Sequence, residues 1–238
     1  MGESREARYT QQRVDQVARN KNIVGRDFYM AGDPIDGRVV QQVRGIEIMV
    51  VDFEKDHALR DFYKFTIESY NKWSFEAWPT YLSKKLQERM VYDMDFVDGI
   101  LMGDEKIREA ARLGAYGGPV SKLINNLPEN LVNRKIYVGD YLRFGRAVCR
   151  QYGVIATACM QRSILEGRVK GWNWAEYRGT WKLEGHSGHG WAALSKQGTD
   201  RIWVVDAASD YSGWQDSREA PHNYGAGYEN HVFGVPDR

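Results

Sequence analysis

A chain of 238 residues, 42% of them apolar and 27% charged, has the composition of an ordinary globular protein and can bury a sizeable core. Its formal net charge of +1 leaves no excess charge that would favour nucleic acid or an anionic membrane as a partner. No run approaches the roughly 18 apolar residues of a membrane span, and the polar N-terminus lacks the apolar segment of a secretory signal. We therefore expect a cytoplasmic protein, or one exported without a conventional signal peptide.

The first part of the chain predicts mainly helices. An apolar run over residues 45–51 indicates a strand, and apolar residues at helical spacing predict a helix over residues 57–73. A second helix is expected to follow Pro79, a helix-start residue, and a third is expected over residues 105–113, before two glycines. We therefore expect residues 1–135 to form a mostly helical lobe.

The segment DMDFVDGILMGDE has the acidic spacing of a calcium-binding loop but lacks three of its requirements, one of them a glutamate at the last ligand position, since Glu105 falls one residue late. Asp93, Asp95 and Asp104 would occupy loop ligand positions. However, Val97 stands where an oxygen ligand is needed, and Asp98 stands where glycine is required. We predict a polar turn here. Since the chain also has no zinc-type His/Cys spacing and no phosphate-binding glycine loop, we expect neither a metal nor a cofactor.

The second part of the chain, residues 136–238, has a mixed pattern. The segment from Cys149 to Leu165 predicts a helix rich in small residues, as in a helix packed tightly on other elements. Three short strands are predicted to follow, over residues 168–174, 190–195 and 202–205. This order predicts an α+β fold in which a small antiparallel sheet packs on the cysteine-bearing helix. We treat the helical lobe and this core as parts of one domain.

The two cysteines, Cys149 and Cys159, fall on the same predicted helix. Ten residues of helix span roughly 15 Å, whereas a disulfide needs Cα atoms within about 7 Å of each other. We therefore expect both thiols to be free, which fits a reducing compartment.

Three residues suited to act as nucleophile, base and orienting acid stand at the ends of the predicted elements. Cys149 opens the helix, His189 opens the run GHGWAAL, and Asp206 closes the strand in WVVDAA. The dipole of a helix N-terminus favours a thiolate, and the flanking Arg146 and Arg150 would act in the same direction if they lie nearby. The histidine would take the thiol proton and later protonate the leaving amine, while the aspartate would hold the imidazole in the required tautomer.

Further residues are candidates for the surroundings of this triad. The Cys149 main-chain N–H is a natural oxyanion donor, and Tyr141, eight residues upstream, is a candidate for the second donor. His186, in the segment EGHSGHG, is the main rival to His189 as the base. At least one tryptophan near the motifs is expected to wall the acyl site and limit the access of water. These tryptophans are Trp172, Trp174 and Trp191.

The segments AVCRQYGVIATACMQ, GHGWAAL and WVVDAAS resemble the three motifs of the transglutaminase-like superfamily, which has a papain-like core. In that family a Gly-x-Cys-type segment opens the core helix, a His-x-Trp segment opens a strand, and an aspartate closes the next strand. The order is the same here, with gaps of 40 and 17 residues. Ala147 stands where a glycine is common and Ala207 where a proline is common, but neither change removes a reacting group. The resemblance covers about residues 136–208 and implies a Cys-His-Asp catalytic triad.

The resemblance implies attack of the cysteine on a glutamine carboxamide or a peptide amide, giving a thioester and releasing an amine. A lysine or a small amine as acceptor would give cross-linking or conjugation, and water would give deamidation or proteolysis. The expected partner is a protein or peptide substrate, with a small amine as an optional acceptor and no nucleic acid.

Three alternatives stay open. A thiol peptidase of the same fold is the nearest of them. Arylamine N-acetyltransferases share the order of the triad, but their Arg-Gly-Gly-x-Cys motif is absent here and the chain after the cysteine is short for their remaining domains. A non-catalytic binding module that kept the fold is the alternative from another class. The presence of all three reacting residues favours an enzyme over that module.

Overall fold

A computed structural model describes residues 38–43, 47–69, 77–129, 131, 134–180 and 189–221. The helices are α1 (His57–Ser69), α2 (Ala77–Arg89), α3 (Met94–Met102), α4 (Glu105–Arg112), α5 (Gly118–Asn125), α6 (Val138–Phe144) and α7 (Cys149–Leu165). The strands are β1 (Arg38–Val43), β2 (Glu47–Val51), β3 (Val91–Tyr92), β4 (Lys135–Tyr137), β5 (Arg146–Ala147), β6 (Trp172–Thr180), β7 (His189–Lys196), β8 (Ile202–Asp206) and β9 (Tyr211–Trp214). A short 3₁₀ turn, Ala207–Ser209, separates β8 from β9.

The strands form three sheets. β1 pairs antiparallel with β2, and β2 pairs parallel with β4. β3 and β5 form a short parallel pair, in which Val91 lies opposite Arg146 and Tyr92 lies opposite Ala147. The largest sheet has four antiparallel strands in the order β6-β7-β8-β9. This mixture of helices with small, mainly antiparallel sheets confirms the α+β class expected from the sequence.

Helix α7 packs on β6 and β7 of the four-stranded sheet. Its side chains in this region are small, and Ala156 and Ala158 are each 1% exposed. On β7, Ala192 and Leu194 alternate toward the same core and are fully buried. Small residues on the helix and alternating apolar residues on the strand allow the two elements to approach closely.

One cluster of buried apolar side chains runs through both parts of the chain. It includes Leu59 from the first part and Val154 and Val205 from the second. A buried carboxylate adds a polar link, because Asp56 accepts hydrogen bonds from the N–H groups of Leu59, at 3.1 Å, and of Gly139, at 2.6 Å. The first of these bonds caps α1 and the second holds the start of α6. The described helices of the first part thus share a core with the sheet of the second.

Several predicted elements appear with nearly the expected bounds. The helix from Cys149 to Leu165 is α7, with the same first and last residues. Helices were also expected over residues 57–73 and 105–113, where α1 and α4 lie. The first part contains a three-stranded sheet as well, of which the sequence indicated only β2. Residues 1–37 of the expected lobe and 222–238 of the expected core lie outside the described residues.

The polar turn predicted over residues 93–105 was wrong. Helix α3 begins at Met94, and its N-cap is Asp93, whose carboxylate accepts a hydrogen bond from the Phe96 N–H at 3.0 Å. The apolar side chains of the segment recur at helical spacing and are buried. These side chains are Phe96, Val97, Ile100 and Leu101.

The strand predicted over residues 168–174 was also placed too early. Gly167 and Gly171 have φ values of 64° and 93°, which belong to the left-handed region that glycine favours. The chain therefore turns between α7 and the sheet until residue 171, and β6 begins only at Trp172.

Candidate active site

Cys149 is the first residue of α7, and only Val148 separates it from the short strand β5. It is buried, with 8% of its surface exposed. The start of the helix is fixed by Gln151, whose side-chain Oε1 accepts a hydrogen bond from the Val148 N–H at 2.9 Å. The thiol thus projects from the first turn of a well-anchored helix, where the helix dipole favours an anion.

His189 and Asp206 meet because β7 and β8 are antiparallel neighbours. Ala192 lies opposite Val205 in this pair, which brings the first residue of β7 near the last residue of β8. His189 Nε2 and Asp206 Oδ2 are 2.5 Å apart. Asp206 is 1% exposed, and its other carboxylate oxygen accepts a hydrogen bond from the Ser209 N–H at 3.3 Å. The carboxylate is therefore held on both sides and fixes one nitrogen of the imidazole.

Cys149 lies on the other side of the same imidazole. Burial alone would lower the pKa of His189, but hydrogen bonds to Asp206 and Cys149, and the negative charges of both groups, outweigh burial and raise the pKa to about 9. Since Nε2 faces Asp206, Nδ1 is the nitrogen left for the thiol. At neutral pH the raised pKa favours the imidazolium form of His189, with the Cys149 side chain beside it.

A close approach between α7 and β7 makes this contact geometrically feasible. Gly153 lies one turn after Cys149, and a Cβ built on it would come within 2.7 Å of Tyr177 Cε2 and 3.0 Å of the Trp191 main-chain nitrogen. A Cβ on Gly190 would come still closer to the Tyr177 hydroxyl. Gly153 therefore lets α7 approach the backbone of β7, and Gly190 leaves room for the Tyr177 side chain.

Trp191, one of the three predicted tryptophans, packs its side chain against the triad. Its ring stacks on that of His189, with centroids 5.9 Å apart and an interplanar angle of 26°. Only 2% of Trp191 is exposed, so it supports the imidazole from behind. An aromatic face against a cationic ring also favours the charged form.

The backbones of the other two tryptophans lie toward the opposite end of β7. Trp172 pairs with Lys196 and Trp174 with Ser195, at the far end of β7 from His189. Six or seven strand residues correspond to about 20 Å. The Trp172 ring instead packs edge-on against Trp203, with centroids 6.2 Å apart.

Tyr141, the candidate for the second oxyanion donor, lies in the core. It is 1% exposed on α6 and packs edge-on against Phe144, with ring centroids 5.9 Å apart. His186, the rival base, lies outside the described residues.

The two arginines that flank Cys149 in sequence are each bound to a carboxylate. Arg146 forms an ion pair with Asp93 at 2.5 Å, and Arg150 forms one with Asp98 at 3.3 Å. The negative partner offsets most of the field that each guanidinium would exert at the thiol. Support for a thiolate therefore comes from the helix start and from His189 more than from these arginines.

Cys159 has the opposite environment to Cys149. Both thiols are free, as expected from the helical spacing. Cys159 is fully buried in the main core, and burial raises its pKa strongly. It is therefore an unreactive core thiol at neutral pH.

Two tyrosines near Cys149 were missed by the sequence analysis. The Tyr152 hydroxyl donates a hydrogen bond to the Met90 carbonyl at 2.5 Å and thereby joins α7 to the residue before β3. Tyr92, on β3, lies opposite Ala147, two residues before the nucleophile. The only sequence signal was the short run Val91–Tyr92 between two helices, and nothing in it indicates which strand it would pair with.

The described residues contain no group of three or more His, Cys, Asp or Glu side chains that could hold a metal ion. None of the helices in this part of the chain has the length and apolarity needed to cross a membrane. No family model, curated protein or solved structure matches the chain. The chemistry of the site must therefore be judged from its own geometry.

Proposed function

We propose that the chain is a cysteine-dependent acyltransferase or amidohydrolase of the transglutaminase-like kind. The observation that supports this most strongly is the continuous contact from Cys149 through His189 to Asp206. These residues come from three different elements, and each stands at an element's end. A cysteine-bearing helix packed on an antiparallel sheet that carries the other two residues is the arrangement that a papain-like core would have.

The proposed reaction has two halves. The Cys149 thiolate attacks the carbon of a glutamine carboxamide or a peptide amide, and the C=O electron pair moves to the oxygen. When the tetrahedral species collapses, the C–N bond breaks and the leaving nitrogen takes the proton of the His189 imidazolium. Ammonia or an amine departs, and a thioester remains on the enzyme. The imidazole is then neutral and ready to act as a base.

In the second half an acceptor attacks the thioester. His189 takes the proton of the incoming amine or water, the C–S bond breaks, and the thiolate is restored with its imidazolium partner. An amine acceptor yields a new amide, and water yields a carboxylic acid. The proposed substrate is a protein or peptide, with glutamine as the preferred acyl donor. Two free thiols suit a reducing compartment, so we propose the cytoplasm as the place of action.

A proteome incubated with the protein and a biotinylated primary amine tests the proposal by mass spectrometry. Biotin on glutamine would show transamidation, conversion of glutamine to glutamate would show deamidation, and new termini would show a thiol peptidase. All three signals should be lost in Cys149→Ala and retained in Cys159→Ser, a matched change of the second thiol. Activity that survives Cys149→Ala, or the absence of all three products, would contradict the proposal.

A further inference from the structure

Strand β3 is held rigidly against the segment that leads into Cys149. The Val91 N–H donates to the Gly145 carbonyl at 2.9 Å, and the Asp93 N–H donates to the Ala147 carbonyl at 3.0 Å. The Tyr152 bond to Met90 and the ion pair between Arg146 and Asp93 add two side-chain links to the same strand. The residue between these anchors, Tyr92, therefore has a fixed position relative to the nucleophile.

The side chain of Tyr92 lies in the open part of the site. It is 46% exposed, unlike Tyr141, which is 1% exposed. Its hydroxyl is close enough to Cys149, Arg150, Asp98 and Asp206 to interact electrostatically with all four. Within the described part of the chain, the hydroxyl has no hydrogen-bond acceptor.

The Tyr92 hydroxyl is also kept in its donor form. Burial of part of the ring and the charge of Cys149 raise the pKa of Tyr92, and Asp98 and Asp206 act in the same direction against Arg150. A phenol that stays protonated beside a thiolate is a donor for negative charge that develops nearby.

We propose that Tyr92 is a catalytic residue that donates a hydrogen bond to the oxyanion formed when Cys149 attacks its substrate. The inference rests on the proposed function and adds the donor that completes the site opposite the Cys149 main-chain N–H. In the tetrahedral species the former carbonyl oxygen carries the negative charge, and the phenol O–H stabilises it without transferring its proton. On collapse the C=O bond forms again and the hydrogen bond weakens, so the stabilisation acts mainly on the transition state.

Two reactions of the Cys149 thiol distinguish an oxyanion donor from a residue that acts on the thiolate itself. Iodoacetamide alkylates a thiolate by direct displacement of iodide, so no oxyanion forms. p-Nitrophenyl acetate acylates the thiolate through a tetrahedral oxyanion and releases p-nitrophenolate, which leaves a thioester on Cys149. Tyr92→Phe should slow acylation by p-nitrophenyl acetate about tenfold or more and leave the alkylation rate unchanged. Tyr81→Phe, which removes a hydroxyl from α2, should change neither rate.

The acylation and alkylation rates together test the role of Tyr92. Equal acylation rates in Tyr92→Phe and the unsubstituted protein would overturn the role of Tyr92. An equal loss of both rates would also overturn it, because the hydroxyl would then act on the thiolate itself. If Cys149 in the unsubstituted protein reacts with neither reagent faster than an ordinary thiol, the proposed function fails first and the inference fails with it.

Discussion

The imidazole of His189 reports on both of its partners, because its hydrogen bonds to Asp206 and to Cys149 raise its pKa. In Cys149→Ala one of these contributions is absent, so the pKa of His189 should fall clearly below the value of about 9 in the unsubstituted protein. An NMR titration of the imidazole in the two proteins measures this difference. An unchanged pKa would show that the thiol and the imidazole do not interact.

Replacing Asp206 with asparagine should weaken the contact between His189 and its second partner. The carboxylate both fixes Nε2 and supplies negative charge, so Asp206→Asn should lower turnover about tenfold or more while the protein stays folded. Asp216→Asn is the matched control, since Asp216 pairs with Arg201 at the surface. Full activity of Asp206→Asn, with unchanged thermal unfolding, would assign Asp206 a structural role only.

At the residue scale, the sequence indicated the three candidate triad residues and Trp191 but not Tyr92. Cys149, His189 and Asp206 carry a chemical signature, and each stands at the end of an element that its local pattern predicts. Tyr92 has no such signature, because its place beside Cys149 depends on the pairing of β3 with β5. Tyr141 is closer in sequence, but α6 turns it into the core.

At the scale of elements, the site depends on the contact between α7 and β7. Alanine in a helix interior is normally about 1 kcal/mol more favourable than glycine. Gly153→Ala should instead destabilise the protein, because the new methyl group would press on the Trp191 backbone and Tyr177. We expect a loss of about 1–3 kcal/mol in the free energy of unfolding and lower turnover, as the helix moves away from His189.

Chemical denaturation and turnover assays measure both effects. Gly118→Ala is the matched control, because a Cβ built on Gly118 at the start of α5 would meet nothing within 4 Å. It should change the free energy of unfolding by less than about 0.5 kcal/mol. If Gly153→Ala and Gly118→Ala changed the free energy of unfolding and the turnover equally, the contact between α7 and β7 at Gly153 would have room for a methyl group.

The sequence predicted α7 well because apolar and small residues predominate from Cys149 to Leu165. It predicted α3 wrongly because acidic residues in the same segment suggested a loop, while the buried apolar positions that make it a helix were given less weight. β9 was not predicted at all: its alternating pattern is short, and its pairing with β8 is a tertiary interaction.

At the scale of the whole molecule, the raised pKa of His189 predicts the pH range of activity. The imidazolium form is kept below about pH 9 and is lost as the pH rises through that value. Reactions that expel ammonia or an amine need this proton and should slow above about pH 9. Acylation by p-nitrophenyl acetate, whose leaving group needs no proton, should lack this alkaline decline. Parallel pH profiles for the two substrates would contradict the assignment of His189 as the acid.

The proposed triad requires Cys149 to be an activated nucleophile, and site-resolved alkylation tests that directly. Substoichiometric iodoacetamide at neutral pH, followed by peptide mass spectrometry, reports the reaction rate of each cysteine. Cys149 should take nearly all of the label, and its alkylation should stop turnover. In His189→Ala the labelling of Cys149 should become much slower. Cys159, fully buried, should stay unlabelled, and Cys159→Ser should still turn over. Preferential labelling of Cys159, or a Cys149 rate that does not depend on His189, would contradict the assigned triad.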